Sequence, residues 1–158
     1  MIFEVWKNLY QSDCEGAVEA LTRNPEVSII LYVGQGLPAQ LAYQSRVPVV
    51  HVPLKDGREN PAKILLALGL IDDFTSFNLP VLVSCRSGIS RSPCLCAGWL
   101  SYKHDRDFQA CLDHVKLKNP SVSPNLDFLR SVKEAVSLMK TLREEDETLK
   151  AGEKGLGA

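Results

Sequence analysis

The chain has 158 residues, 45% of them hydrophobic and 23% charged, with a formal net charge of −1. That length and balance suit one globular domain with a real core, and the near-neutral charge gives no overall pull toward nucleic acid or an anionic membrane, so any anion site must be local. The opening MIFEVWKNLY lacks a basic segment followed by an apolar one, and the longest apolar run, residues 64–71, is too short to span a bilayer. The expectation is therefore a cytoplasmic protein without signal peptide, membrane association or nucleic-acid partner.

Ile2 to Tyr10 alternates loosely and predicts a first strand. Ser12 and Asp13 are N-cap types, and Cys14, Val18 and Leu21 then recur at helical spacing until Asn24-Pro25 stops the helix. Val27 to Val33 is a continuous apolar, β-branched run, the mark of a strand covered on both faces, ended by Gly34 and Gly36. Val47 to Leu54 holds a second strand with prolines at its margins. Asn60-Pro61 starts a helix that places Ile64, Leu68 and Ile71 on one face. Val81 to Val83 is a short third buried strand.

Residues 93–102 predict a helix apolar on nearly all sides, which belongs in the middle of a fold. Phe108, Cys111, Leu112 and Val115 predict an amphipathic helix ended by Asn119-Pro120. Ser123-Pro124 caps the last helix, whose stripe is Leu129, Val132, Val136 and Met139. After Met139 the pattern turns charged and then glycine-rich. Residues 1–140 therefore form a single domain, and 141–158 a charged helix end and flexible tail. The fold class is α/β, with a central mostly parallel sheet flanked by helices and a helical C-terminal half.

The five cysteines (14, 85, 94, 96, 111) are odd in number and show no disulfide framework, so free thiols in a reducing compartment are expected. His51, His104 and His114 stand apart, without the spacing of a metal site. The informative stretch is VLVSCRSGISRSP, Val81 to Pro93. Cys85 follows directly on a buried strand, Gly88 can take positive φ, and a proline-started helix begins just after Arg91. A tight strand-to-helix loop can turn successive backbone N–H groups inward as an anion cup, and the helix N-terminus adds partial positive charge. Arg91 can hold two phosphate oxygens through its planar fork, and the same field stabilises a thiolate at Cys85. Ser90 and Ser92 can cap the helix or hydrogen-bond the sulfur. Arg86 is either a solvated charge or an anion attractor.

SCRSGISRSP resembles the HCx2Gx(S/T)RS loop of the cysteine-dependent protein tyrosine phosphatase superfamily, in particular its compact dual-specificity type, at Cys85, Gly88, Ser90, Arg91 and Ser92. The resemblance extends to Lys7-Asn8-Leu9-Tyr10 and to Ser123-Pro124-Asn125 with Phe128-Leu129, and no segment resembles the phosphotyrosine-recognition loop of the larger enzymes. It implies a phosphatase that hydrolyses phosphotyrosine and phosphoserine/threonine in proteins or peptides through a phosphocysteine, without metal or cofactor. Cys85, Arg91, Asp56 and Ser92 would be catalytic, and Arg86, Ser87, Gly88, Ile89, Ser90 and Arg91 would bind phosphate. The family's general acid is an aspartate on a mobile loop well before the cysteine. Asp56 lies 29 residues before Cys85, in HVPLKDGRENP, between a buried strand and a capped helix. That places it at the sheet edge where ligands gather, with Gly57 beside it for flexibility. Asp72 and Asp73 are rivals by type but poor candidates by position.

Two residues depart from the pattern. Ser84 stands where the family has histidine, which implies weakened rather than abolished activity, and Asp127 stands where glycine is frequent. Ser84 also favours an alternative, a pseudophosphatase that binds phosphorylated partners without turnover. A phosphoinositide or RNA 5′-phosphatase ranks lower, because the loop carries only Arg86, with Arg46, Lys55 and Arg58 as candidates for the rim. Redox control through Cys94 or Cys96 ranks below packing for both thiols.

Overall fold

Asn8 takes a left-handed φ of 64° and folds the predicted first strand into a hairpin. Its arms are β1 (Ile2–Trp6) and β2 (Leu9–Ser12), paired antiparallel. In the computed structural model, which describes residues 1–22 and 26–156, the chain continues through α1 (Cys14–Glu19), β3 (Ile29–Tyr32), α2 (Ala39–Ala42) and β4 (Val49–His51). Then follow α3 (Pro61–Ser76), β5 (Val81–Ser84), α4 (Arg91–His104), α5 (Phe108–Lys118) and α6 (Leu126–Leu156). The predicted stop at Asn24-Pro25 lies outside the described residues.

Local chemistry explains most of these boundaries. Asp13 caps α1 by accepting from the Gly16 amide at 2.7 Å, and Asn60 caps α3 by accepting from Ala62. β4 is shorter than the predicted 47–54 strand, because Pro48 and Pro53 have no N–H to give a ladder. The cap of α6 is Asn125, not Ser123: its side chain accepts from the amides of Asp127 and Phe128 at 3.0 and 3.1 Å. Beyond Met139, where the apolar stripe fades, the helix runs on to Leu156. Residues 141–150 are mostly good helix formers, and Lys150 pairs with Asp146 at 2.9 Å. The four-residue α2 was not anticipated; it starts behind Pro38.

The strand order is β1-β2-β5-β3-β4, and every pairing except β1 with β2 is parallel. β5 is central and buried along its length, and its two faces feed two cores. Val81 and Val83 face a large core with Ile64, Leu68, Leu95 and Phe128 from α3, α4 and α6. Leu82 faces a smaller core with Ala17, Ile30 and Leu41 under α1 and α2. Burial on both faces accounts for the unbroken apolar runs of β3 and β5. Helix α4 is wrapped by α3, α5 and α6. At its centre, a Cβ on Gly98 would sit 2.8 Å from Val132 Cγ1 and 3.3 Å from Val136 Cγ2, so glycine lets α6 lie close against α4.

Candidate active site

The loop from Cys85 to Ser90 leaves the C-terminal end of the central strand and enters α4 at Arg91, a place where open α/β sheets gather ligands. Its carbonyls are turned outward and held. Arg86 O accepts from the Cys14 amide at 3.2 Å, and Ile89 O from the Ser123 amide at 2.9 Å. Gly88 O accepts from Gln11 Nε2 at 2.9 Å. In a trans peptide the N–H points opposite to the C=O, so the amides of Ser87, Ile89 and Ser90 are turned to the other side, into the loop. Among the described residues, none of the amides from Arg86 to Arg91 donates to a protein acceptor. Gly88 is required twice over: its φ is +70°, and a Cβ there would lie 2.7 Å from the Asp13 amide nitrogen.

Cys85 lies fully buried at the base of this loop. Its sulfur accepts from the Ser92 amide at 3.4 Å and sits 3.1 Å from Ser92 Oγ. Arg91 is half-buried, and its Nη1 donates to Leu54 O at 3.0 Å, which fixes the guanidinium plane and leaves its remaining N–H groups for an anion. Ser84 does not touch the sulfur: its hydroxyl donates to Asp13 O at 2.7 Å.

Asp56 follows β4 and is exposed, yet tied to the loop: Ser90 Oγ donates to its Oδ1 at 2.6 Å, while the same oxygen accepts from the Asn125 amide at 2.9 Å. The segment that carries Asp56 is also clamped at both ends. Glu59 accepts from the amides of Lys55 at 2.6 Å and Asn60 at 2.7 Å, and its own amide donates to Ser131 Oγ on α6 at 3.2 Å. Burial alone would raise the Glu59 carboxyl above its ordinary value, but those two amides and the cations Lys63 and Lys55 outweigh it and hold the group lower. A depressed carboxylate contributes stability above its unfolded value, near 4.5, and loses it as pH falls through the folded one. Glu59→Gln is thus expected to cost about 1–2 kcal/mol at neutral pH, with the variant and parent melting curves drawing together as the medium is acidified below pH 4.5. Thermal melts at neutral and acid pH check this.

Beside the loop opens a cleft of about 630 Å³ lined by Arg86, Arg91, Tyr32, Cys14 and Glu15 among others. The arginines, not the buried sulfur, form its wall. Of the three cations expected at the rim, Arg46 is elsewhere: it lines a separate depression with Thr22 and Glu26. Arg46 precedes β4 whereas Cys85 follows β5, and these strands run the same way, so the two residues occupy opposite edges of the sheet. Lys55 and Arg58 flank Asp56 and are exposed. Cys94 and Cys96 are fully buried in α4. Burial, with the Asp56 and Cys85 charges, pushes the Cys94 thiol up to about 12, and burial raises Cys96 further, so both behave as packing groups. Asp72 is engaged away from the loop, accepting from Trp99 Nε1 at 3.1 Å. Among the described residues no three His, Cys, Asp or Glu side chains stand together as metal ligands, and no helix is long and apolar enough to cross a membrane.

The sequence profile of the dual specificity phosphatase catalytic domain matches residues 9–137, from the first residue of β2 into α6. The chain belongs to the dual specificity phosphatase family. It is 29% identical over 140 residues to the tyrosine-protein phosphatase yvh1 of Schizosaccharomyces pombe, which is 82% of this chain and 40% of that protein. It is 30% identical over 105 residues to human dual specificity protein phosphatase 6, covering 65% of this chain and 28% of that one. The chain thus spans less than half the length of these curated relatives. The fold is also that of human DUSP28 (TM-score 0.75, 20% identity, 90% of this chain and 99% of that one) and of PTPMT1 (TM-score 0.77, 12% identity, 92% and 99%).

Several residues of this dual specificity phosphatase domain that shape the loop escaped the sequence reading. Gln11 and Asn119 are buried polar side chains behind Gly88, and Glu59 closes the Asp56 segment. Gln11, between Tyr10 and Ser12 at the polar end of its strand, carried no local signal. Nothing local marked Asn119 beyond its place at a helix end.

Proposed function

We propose that this domain is a cysteine-dependent phosphatase acting on phosphomonoesters of proteins or peptides. The observation that carries this reading is the outward anchoring of the loop carbonyls, which turns the amides of Ser87, Ile89 and Ser90 to the inner side of the loop that links Cys85 to Arg91. The Cys85 thiolate attacks phosphorus, and the ester oxygen departs with its electron pair and takes a proton from Asp56. Water then attacks the phosphocysteine and gives a proton to Asp56, while the S–P pair returns to sulfur. The amide ring and Arg91 hold the equatorial oxygens throughout, and Ser92 donates to the sulfur. The cleft beside the loop is lined by side chains from β3, α1 and the segment before α2, and this open border suits phosphotyrosine and phosphoserine/threonine alike.

Release of nitrophenol from its phosphate ester by the purified chain tests the reading and separates it from one in which the loop only binds phosphate. Asp56→Asn is expected to slow alkyl and unactivated phenyl phosphates by about 100-fold or more, and nitrophenyl phosphate far less, because only poor leaving groups need the proton. Equal losses on both substrates would remove Asp56 from the acid role.

A further inference from the structure

Behind the loop, four side chains form one hydrogen-bonded line whose polarity is fixed at two points, the Ser121 amide and the Gly88 carbonyl. The Ser121 amide can only donate, and it donates to Asn119 Oδ1 at 3.1 Å. Asn119 Nδ2 is therefore the group that faces Gln11 Oε1 at 2.9 Å and Gly88 O at 3.3 Å. That fixes Gln11 in turn: its Nε2 donates to Gly88 O at 2.9 Å, which can only accept, and to Ser92 Oγ at 2.9 Å. Gln11 is fully buried, Asn119 is 3% exposed, and no buried side-chain nitrogen or oxygen among the described residues lacks a partner. With one lone pair of Ser92 Oγ taken by Gln11, the hydroxyl proton has two destinations, the Cys85 sulfur at 3.1 Å and Ser12 O at 3.3 Å.

We propose that Gln11 and Asn119 are positioning residues of the proposed phosphatase, a relay that keeps the Ser92 hydroxyl a donor toward the Cys85 sulfur and holds the Gly88 peptide with its carbonyl outward. The inference rests on the phosphocysteine reading above and deepens it. Its effect falls on the second step. When water attacks phosphorus and the S–P bond breaks, its electron pair settles on sulfur and the water proton goes to Asp56. The Ser92 hydroxyl keeps its proton and stabilises the departing thiolate by hydrogen bonding. In the first step the sulfur loses charge, and the same donor gives no advantage. Through Ser92 the relay thus acts on breakdown of the intermediate, while through Gly88 O it also bears on the amides that meet the substrate.

Two variants reach the relay without touching sulfur. Gln11→Met has similar length and no donor. Asn119→Asp still accepts from the Ser121 amide but cannot donate, and its second carboxylate oxygen faces Gln11 Oε1 and Gly88 O, so Gln11 cannot keep its donor on Ser92 without an acceptor-to-acceptor contact. With nitrophenyl phosphate, each is expected to lower kcat about tenfold or more, by a clearly larger factor than kcat/KM, and to show a rapid burst of nitrophenol before slow turnover. In a Ser92→Ala background the further loss of kcat should be much smaller. Acid-quenched protein analysed by mass should carry phosphate on Cys85 in the variants and far less in the parent. Far-UV circular dichroism identifies any variant that does not fold, and the other then decides. A folded variant without a burst, or one that depresses kcat equally when Ser92 is absent, overturns the relay. A parent that releases no nitrophenol overturns the phosphatase reading instead.

Discussion

Cys85→Ser is expected to reduce nitrophenol release about 10⁴-fold or more while leaving tungstate bound with little loss of affinity. The two readouts separate because two sets of atoms are involved. On the proposed mechanism turnover needs a polarisable sulfur that forms a bond to phosphorus, which a serine hydroxyl in the same place does not supply. Anion binding needs the amides of Ser87, Ile89 and Ser90 and the fork of Arg91, and these are positioned by contacts that do not include the sulfur: Cys14 on Arg86 O, Gln11 on Gly88 O, Ser123 on Ile89 O, and Leu54 on Arg91. Titration calorimetry with tungstate and a continuous nitrophenol assay measure the two. Normal rates in the serine variant would remove the nucleophile and the mechanism with it.

Arg91→Lys is expected to lose both properties, with kcat down about 10²–10³-fold and tungstate affinity down about tenfold or more. A lysine keeps the charge and gives up the planar pair of donors, so it cannot meet two oxygens of one phosphate at fixed angles. It also gives up the bond to Leu54 O, which ties the end of the segment after β4 to the start of α4. The contrast with Cys85→Ser is the diagnostic one. If the lysine variant bound tungstate as the parent does, recognition would rest on the amides alone.

The architecture was legible where burial or proline wrote it plainly. The unbroken runs of β3 and β5, the Asn60-Pro61 start of α3, and the all-round apolar face of α4 each had one physical cause acting over a short stretch. The hairpin at Asn8 was not legible, because a left-handed asparagine leaves the alternation around it intact. The extent of α6 was missed because helix propensity and an i,i+4 ion pair carried the helix past the end of its apolar stripe. At the candidate site the course of the loop, from a buried strand end through Gly88 into a helix, could be read from residue type. Its supports could not, since Gln11 and Asn119 are 108 residues apart and meet only once the sheet is built. The unfamiliar Ser84 looked like a weakness at the sulfur from sequence; in the fold its hydroxyl is spent on Asp13 O, and the group beside the sulfur is Ser92.

Helix α6 is more than a cover for the core. Through the Asn125 amide it steadies Ser90, and through Ser131 it steadies Glu59, so the Cys85 loop and the Asp56 segment share one anchor. That anchor is held against α4 at the close approach that Gly98 permits. The two loops therefore cannot loosen independently of the helical layer. In amide exchange they would open together with α6 and not as separate surface segments, and a bulky side chain at position 98, buried and remote from any phosphate, would disarm the chemistry by displacing its moorings.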